Sequence, residues 1–344
     1  MKKIISIVGT RPNFIKLAPV ADSLLSTYKH IIVNTGQHYN KELSKNFFDE
    51  LKLPEPKYNL KVGSKESKLQ ITSMFIKLCP ILEKEKPSLV LIYGDTNSSL
   101  AGSLASAYNR IPIAHIEAGI RCFDNSVPEE VNRVIIDQIS ALLFCPTQTA
   151  VENLKKESIH KNIHFTGDVM YDIFLKTKPQ PIKLKSPKKY FLATIHRQEN
   201  TNNNTRLLSI FKFLNNQRIK VIMPLHPRTK KVIGKLTKNY KNIAFVKPIS
   251  HTNLLSLIKK SCGVITDSGG IQKEAYWLGV QCYVIRKSTE WPETLNNNKL
   301  IKNIDTDFKL RIEKRHPINK NYFGDGKATK KITSIIAAYL NDPE

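Results

Sequence analysis

No stretch of this sequence approaches the roughly 20 consecutive apolar residues that span a bilayer, so a membrane-inserted chain is not expected. Cysteine is scarce: Cys79, Cys122, Cys145, Cys262 and Cys282 are odd in number, far apart and without a C-x-x-C pair. That spacing argues against a disulfide framework and against a zinc site, and for reduced, mostly buried thiols. The opening MKKIISIVGT has an apolar run that meets Arg11-Pro12 too soon for the core of a secretory signal, so it reads as a first strand and the cytoplasm as the compartment. No G-x-G-x-x-G follows that strand and no G-x-x-x-x-G-K-[ST] occurs, which removes the usual signals for a bound dinucleotide and for NTP hydrolysis. The one D-x-D, Asp305-Thr306-Asp307, lies in a late polar segment where such a triplet arises easily by chance, so no metal is expected. Internal repeats and low-complexity tracts are missing too.

What is present suits a globular enzyme. At 344 residues the chain exceeds what one hydrophobic core usually serves, and 41% hydrophobic residues leave enough apolar surface to close two. The formal net charge of +25 would suit nucleic acid if it were clustered. Instead Lys is spread along the whole chain, with pairs such as Lys188-Lys189 but no long basic block, so nucleic acid is not the expected partner. A basic surface would still attract an anionic nucleotide.

Short apolar runs ending in Gly, Asp or polar turns alternate with longer helical patterns, the rhythm of a parallel sheet covered by helices on both faces. The first set begins at Ile4, His30, Ser88, Ile111, Ala141 and Ile163. A Lys- and Pro-rich stretch, 176–190, lacks apolar periodicity and reads as a linker. The series restarts at Tyr190, Lys220, Ile243, Gly263 and Cys282, and KKITSIIAAYL (330–340) reads as a closing amphipathic helix. The expected fold is therefore α/β, two doubly wound, Rossmann-like domains with ligands beyond the carboxyl ends of the strands.

The polar residues just after those runs are the candidates for chemistry. GTRPNFIK turns from the first strand into a helix whose N-terminus favours an anion, with Arg11 and Lys16 adding charge. YGDTNSSLAG sets Asp95 at a strand end, where it could equally be a helix N-cap. HIEAG puts Glu117 at the end of a neighbouring apolar strand, where a carboxyl withdrawn from water suits proton transfer. PEEVNR offers Glu129, Glu130 and Arg133 at a helix start, ordinary first-turn residues in isolation. Together, Asp95, Glu117 and Glu129 follow successive elements on one side of a sheet and suit acid and base work. In the second half, His196 ends a strand, as a structural or a reactive imidazole. Ser268-Gly269-Gly270 opens a helix able to hold a diphosphate, and Glu274 stands where it could accept from ribose hydroxyls; a tight turn followed by a surface Glu is the plainer alternative.

Taken in order, GTRPNFIKLAPV, TGQHY, YGDTNSSLAG, HIEAGIR, PEEVNR, HRQEN, DSGGIQKEA and RKSTEWPE resemble the non-hydrolysing UDP-N-acetylglucosamine 2-epimerase family from Gly9 to about Glu293. The resemblance implies a GT-B-like pair of domains with the active site in the interdomain cleft. Residues 1–170 would form the catalytic domain, 171–326 the UDP-binding domain, and 327–344 a helix packing back on the first. It implies loss of the C2 proton and UDP to give a 2-acetamidoglucal, then re-addition of UDP after protonation of C2 from the opposite face, without an added cofactor. Carried over by position, Asp95, Glu117, Glu129 and His196 would be catalytic. Arg11, Ser268, Gly269, Gly270 and Glu274 would bind UDP, and Lys16 and Arg133 would complete the charged cleft. The resemblance also implies a homodimer acting on a UDP-amino sugar, and an allosteric site near Gln37 and His38. The short loop RCFDNSVPEE and Trp291 are similar to the branch with archaeal enzymes and enzymes of UDP-2,3-diacetamido uronic acids, which makes such a sugar one alternative and glycosyl transfer on the same fold another.

Overall fold

A computed structural model describes residues 1–37, 53–177, 187–225, 227–296, 298–302 and 309–341. The chain divides into two compact units, Met1–Lys176 with Asn321–Glu344, and Thr177–Lys320. The first unit runs β1 (Lys3–Val8), α1 (Arg11–Leu24), β2 (Lys29–Asn34), β3 (Tyr58–Asn59), α2 (Ser67–Glu85), β4 (Leu89–Tyr93), α3 (Asn97–Tyr108), β5 (Ile113–Ile116), α4 (Pro128–Ile139), β6 (Leu142–Cys145), α5 (Gln148–Lys156), β7 (Ile163–Phe165) and α6 (Val169–Lys176). Its strands order as β3-β2-β1-β4-β5-β6-β7, and every neighbouring pair is parallel.

β1 shows why this sequence makes a central strand. Ile4 and Val8 face a cluster with Leu17, Val20 and Leu24 of α1, while Ile5 and Ile7 point to the opposite cluster with Met74, Leu78 and Ala101. Both faces are covered, so the strand reads as a continuous apolar run rather than an alternation. Each such buried side chain contributes about 1.5–3 kcal/mol. The polar exception, Ser6, is satisfied within the sheet by His30 Nε2 at 2.8 Å and the Tyr93 hydroxyl at 2.9 Å.

The second unit repeats the plan with β8 (Phe191–Thr194), α7 (Gln198–Thr201), α8 (Asn204–Asn215), β9 (Val221–Pro224), α9 (Pro227–Ile233), β10 (Ile243–Val246), α10 (His251–Lys260), β11 (Gly263–Thr266), α11 (Gly269–Trp277), β12 (Cys282–Val284) and β13 (Lys299–Leu300). Its order is β10-β9-β8-β11-β12-β13, again parallel throughout. Phe191, Ala193, Phe211, Leu214, Val221, Ile265 and Tyr283 form its core. The chain then returns to the first unit as α12 (Ala328–Asn341), whose Ile332, Ile336 and Leu340 join the cluster around α1. Asp172 of α6 caps this helix, accepting from the backbone of Ala328 at 3.0 Å and Thr329 at 2.8 Å. No described helix is long and apolar enough to cross a membrane.

Strand order reverses direction at one place in each sheet, between β1 and β4 and between β8 and β11. In open α/β sheets these switch points leave a crevice beyond the carboxyl ends of the strands where ligands bind. The search for a site therefore narrows to four turns: after Val8, after Tyr93, after Thr194 and after Thr266.

Candidate active site

In the first unit, the turn after β4 is held from three sides. Asn13 of α1 donates to the carbonyl of Tyr93 at 2.7 Å, His115 of β5 donates to that of Gly94 at 3.0 Å, and Asn132 of α4 donates to that of Asp95 at 2.8 Å. Three consecutive carbonyls thus hold side-chain donors from three different elements, and Asp95 cannot drift. Its helix-capping role falls to Thr96 instead, whose hydroxyl accepts from Ser99 N at 3.3 Å. The Asp95 carboxylate pairs with Arg133, whose guanidinium is buried while Asp95 keeps 22% exposure.

Glu117 directly follows β5 with φ +75°, a left-handed conformation that a glutamate adopts only where its surroundings impose it. It is not an isolated acid in an apolar pocket. Lys16 of α1 forms a short ion pair with it, and both side chains are buried. Gly94 makes room for that pair: a Cβ there would meet Lys16 Nζ at 2.8 Å and Glu117 Oε1 at 3.2 Å, and its φ of +63° independently favours glycine.

Behind these turns lies a largely buried network of charged groups. His115 Nδ1 sits 2.6 Å from Asp137 Oδ1. The other Asp137 oxygen accepts from Gly119 N at 3.0 Å and from Arg121 at 2.7 Å, and Arg121 grips Glu157 with two nitrogens at 2.7 Å each. Burial works to raise the pKa of Asp137, but His115 and Arg121 outweigh it and hold the acid below the usual carboxylate range. Each ring nitrogen of His115 thus has an oxygen partner, a carboxylate on one side and a carbonyl on the other. His115 therefore ties the turn carrying Asp95 to the one carrying Glu117.

Of the other expected residues in this unit, Arg11 begins α1, partly exposed. Glu129 lies partly buried in the first turn of α4 and joins none of these pairs; its neighbour Glu130 does. Glu130 is buried, pairs with Arg133 at 2.6 Å and accepts from the backbone of Cys122 and Phe123. Gln37 is buried and commits its side-chain oxygen to Ser98 N at 3.0 Å and Ser98 Oγ at 2.7 Å, while His38 lies outside the described residues.

In the second unit the two turns flanking the switch point are joined by Asp267, a fully buried acid that sequence reasoning passed over although it stands next to Ser268. It accepts from the backbone of His196 at 3.0 Å and Arg197 at 2.9 Å, and from Asn200 Nδ2 at 2.9 Å. The His196 ring remains about one-third exposed, with Nε2 4.0 Å from Asp267. Ser268 caps α11. A Cβ at Gly269 would lie 2.5 Å from Glu290 Oε1 and 2.9 Å from Trp291 Nε1, so the close approach of those side chains accounts for that glycine. Gly270 follows, half-buried.

Glu274, one turn on, is buried; Oε1 accepts from His251 Nε2 at 2.6 Å, while Oε2 has no hydrogen-bond partner among the described residues. A buried carboxylate oxygen left unsatisfied is costly unless a donor arrives. A ligand hydroxyl would be such a donor. Arg197 and buried Arg286 both reach Glu290 beside the start of α11. Neither His251 nor Glu290 has a local sequence signal, because each partner lies across the fold.

Two parallel, doubly wound units of this kind, each with polar groups gathered at its switch point, define an α/β protein of the GT-B-like class. The chain belongs to the UDP-N-acetylglucosamine 2-epimerase family, whose profile matches residues 24–337. It is 44% identical to a UDP-N-acetylglucosamine 2-epimerase homolog of Methanococcus maripaludis, across 97% of this chain and 99% of the relative. It is 39% identical to a UDP-2,3-diacetamido-2,3-dideoxy-D-glucuronate 2-epimerase of Pseudomonas aeruginosa, across 97% and 99%. Among solved structures, the Methanocaldococcus jannaschii UDP-GlcNAc 2-epimerase in complex with UDP-GlcNAc and UDP superposes with a TM-score of 0.89 at 37% identity, covering 98% of this chain and 99% of that one.

Proposed function

We propose that the protein interconverts UDP-N-acetylglucosamine and UDP-N-acetylmannosamine without hydrolysing them. A carboxylate removes the C2 proton as the C1–oxygen bond to UDP breaks, giving 2-acetamidoglucal. UDP then re-adds at C1 while C2 takes a proton on the other face. Asp95, Glu117 and Glu129 supply the acid and base groups, and His196 steadies the departing diphosphate. Arg11 and the start of α11 hold UDP, with Glu274 on the ribose. The observation that carries this reading is the pinned turn of Tyr93 to Asp95, which brings Asp95–Arg133 and Lys16–Glu117 together at the switch point of one sheet. Preorganised, partly dehydrated charge is what a weakly acidic C–H requires. Incubation with UDP-N-acetylglucosamine, followed by NMR, tests it: accumulation of free N-acetylmannosamine with UDP would mean a hydrolysing enzyme instead.

A second reading has one observation in its favour. Lys273, buried one turn into α11, places Nζ 3.7 Å from the ring centroid of Trp291, and this added positive charge suits an anionic sugar such as a UDP-2,3-diacetamido uronic acid. Parallel assays of the two sugars separate the readings. We also propose that the protein works as a homodimer. Leu69 and Ile76 of α2, Tyr108 of α3 and Val131 and Ile139 of α4 expose apolar side chains on three consecutively packed helices. Light scattering of the Ile76→Glu variant, showing a shift to monomer, tests the proposal.

A further inference from the structure

Phe123 stands between β5 and α4 with φ +55°, a conformation rare for any side chain and an outlier for a bulky one. The residue is 74% exposed. The strain is imposed from below: the Glu130 carboxylate draws in the amides of both Cys122, at 2.9 Å, and Phe123, at 2.7 Å, and is itself fixed by Arg133. Packing does not account for the phenylalanine, because the ring contributes little to the core. Turn formation does not either, since glycine or asparagine would fit the same backbone at no strain. A strained residue that presents an apolar ring to solvent is instead what a ligand contact looks like before the ligand arrives.

A chain of bonds links the Phe123 backbone amide through Glu130 and Arg133 to the candidate carboxylate Asp95, so this residue and that acid belong to one connected cluster. We infer that Phe123 is a specificity-determining residue that packs on the C–H face and acetamido methyl of the sugar in a bound nucleotide sugar. This rests on the reading given under Proposed function. Aromatic rings recognise such faces by apolar contact and do not bind the diphosphate, so the residue should distinguish the sugar from UDP itself.

The test uses the full-length protein with the Phe123→Gly and Phe123→Tyr substitutions. Melting temperature, UDP affinity by calorimetry, and KM and kcat for UDP-N-acetylglucosamine are measured for each. The inference expects Phe123→Gly to melt no lower than the parent and to bind UDP within twofold of it, yet to raise KM about tenfold or more, the loss of one aromatic contact. Phe123→Tyr should restore the parental KM. Unchanged KM in the glycine variant would overturn the inference, and so would equal losses in UDP and UDP-sugar affinity, which would mark loop damage. A parent protein that turns over no UDP-amino sugar would fail the epimerase reading before any variant is compared.

Discussion

The ammonium of Lys16 and the carboxylate of Glu117 meet beside the Cα of Gly94, 101 residues apart in sequence for the charged pair and joined only through the fold. A buried pair of this kind is costly to break from one side, because the remaining charge has no water to turn to; such losses run to about 3–5 kcal/mol. Lys16→Met is therefore expected to lower the melting temperature markedly and to reduce kcat by at least about 100-fold. In the double variant with Glu117→Gln, stability should return while activity does not. Thermal unfolding and steady-state kinetics on the three variants check this.

Gly94→Ala addresses the same pair from the backbone. The new methyl group would push Lys16 Nζ from its place, and an alanine at φ +63° adds about 1–2 kcal/mol of strain. The expected result is a modest drop in stability with a larger drop in kcat, on the order of 10- to 100-fold, since a small displacement of charged groups is felt most by the reaction.

How much of this was legible in the chain is clearest at individual positions. The apolar runs ending in polar turns revealed two doubly wound sheets, because strand periodicity and the residue after each strand are local properties. Asp95 was ambiguous since a cap and a catalytic acid look alike in sequence; in the fold the cap is Thr96. Glu129 was the acid singled out for chemistry, yet both it and Glu130 are ordinary first-turn acids, and only the fold shows that Glu130 turns inward to Arg133. The ion pair of Glu117 and the bond from His251 to Glu274 were invisible for the same reason: each joins elements far apart along the chain.

Glu274 gives a prediction confined to nucleotide binding. With Oε2 lacking a hydrogen-bond partner among the described residues, Glu274→Ala should weaken UDP by about 10- to 100-fold, the loss of a hydrogen bond to a charged acceptor. Calorimetric titration of UDP measures it directly. An unchanged affinity would remove Glu274 from the ribose-binding role.

His30 predicts an acid limit to stability. Burial lowers its pKa from 6.5 to about 4, while its Nε2 is held by Ser6. The unfolded chain accepts a proton where the folded chain refuses one, so stability is full above pH 6.5 and is lost as pH falls toward 4. The loss is at most about 3 kcal/mol from this group. Denaturant titrations between pH 7.5 and about pH 4 should show that decline, with a shallower one in His30→Gln.

The proposed chemistry turns on whether the C2–H bond is broken at each turnover. Incubating the protein with UDP-N-acetylglucosamine in deuterium oxide and following C2 by NMR reads this out. We expect UDP-N-acetylmannosamine to form with deuterium at C2 and the recovered substrate to become labelled as equilibrium is approached. Epimerised product that keeps its original hydrogen at C2 would contradict proton removal and the elimination built on it.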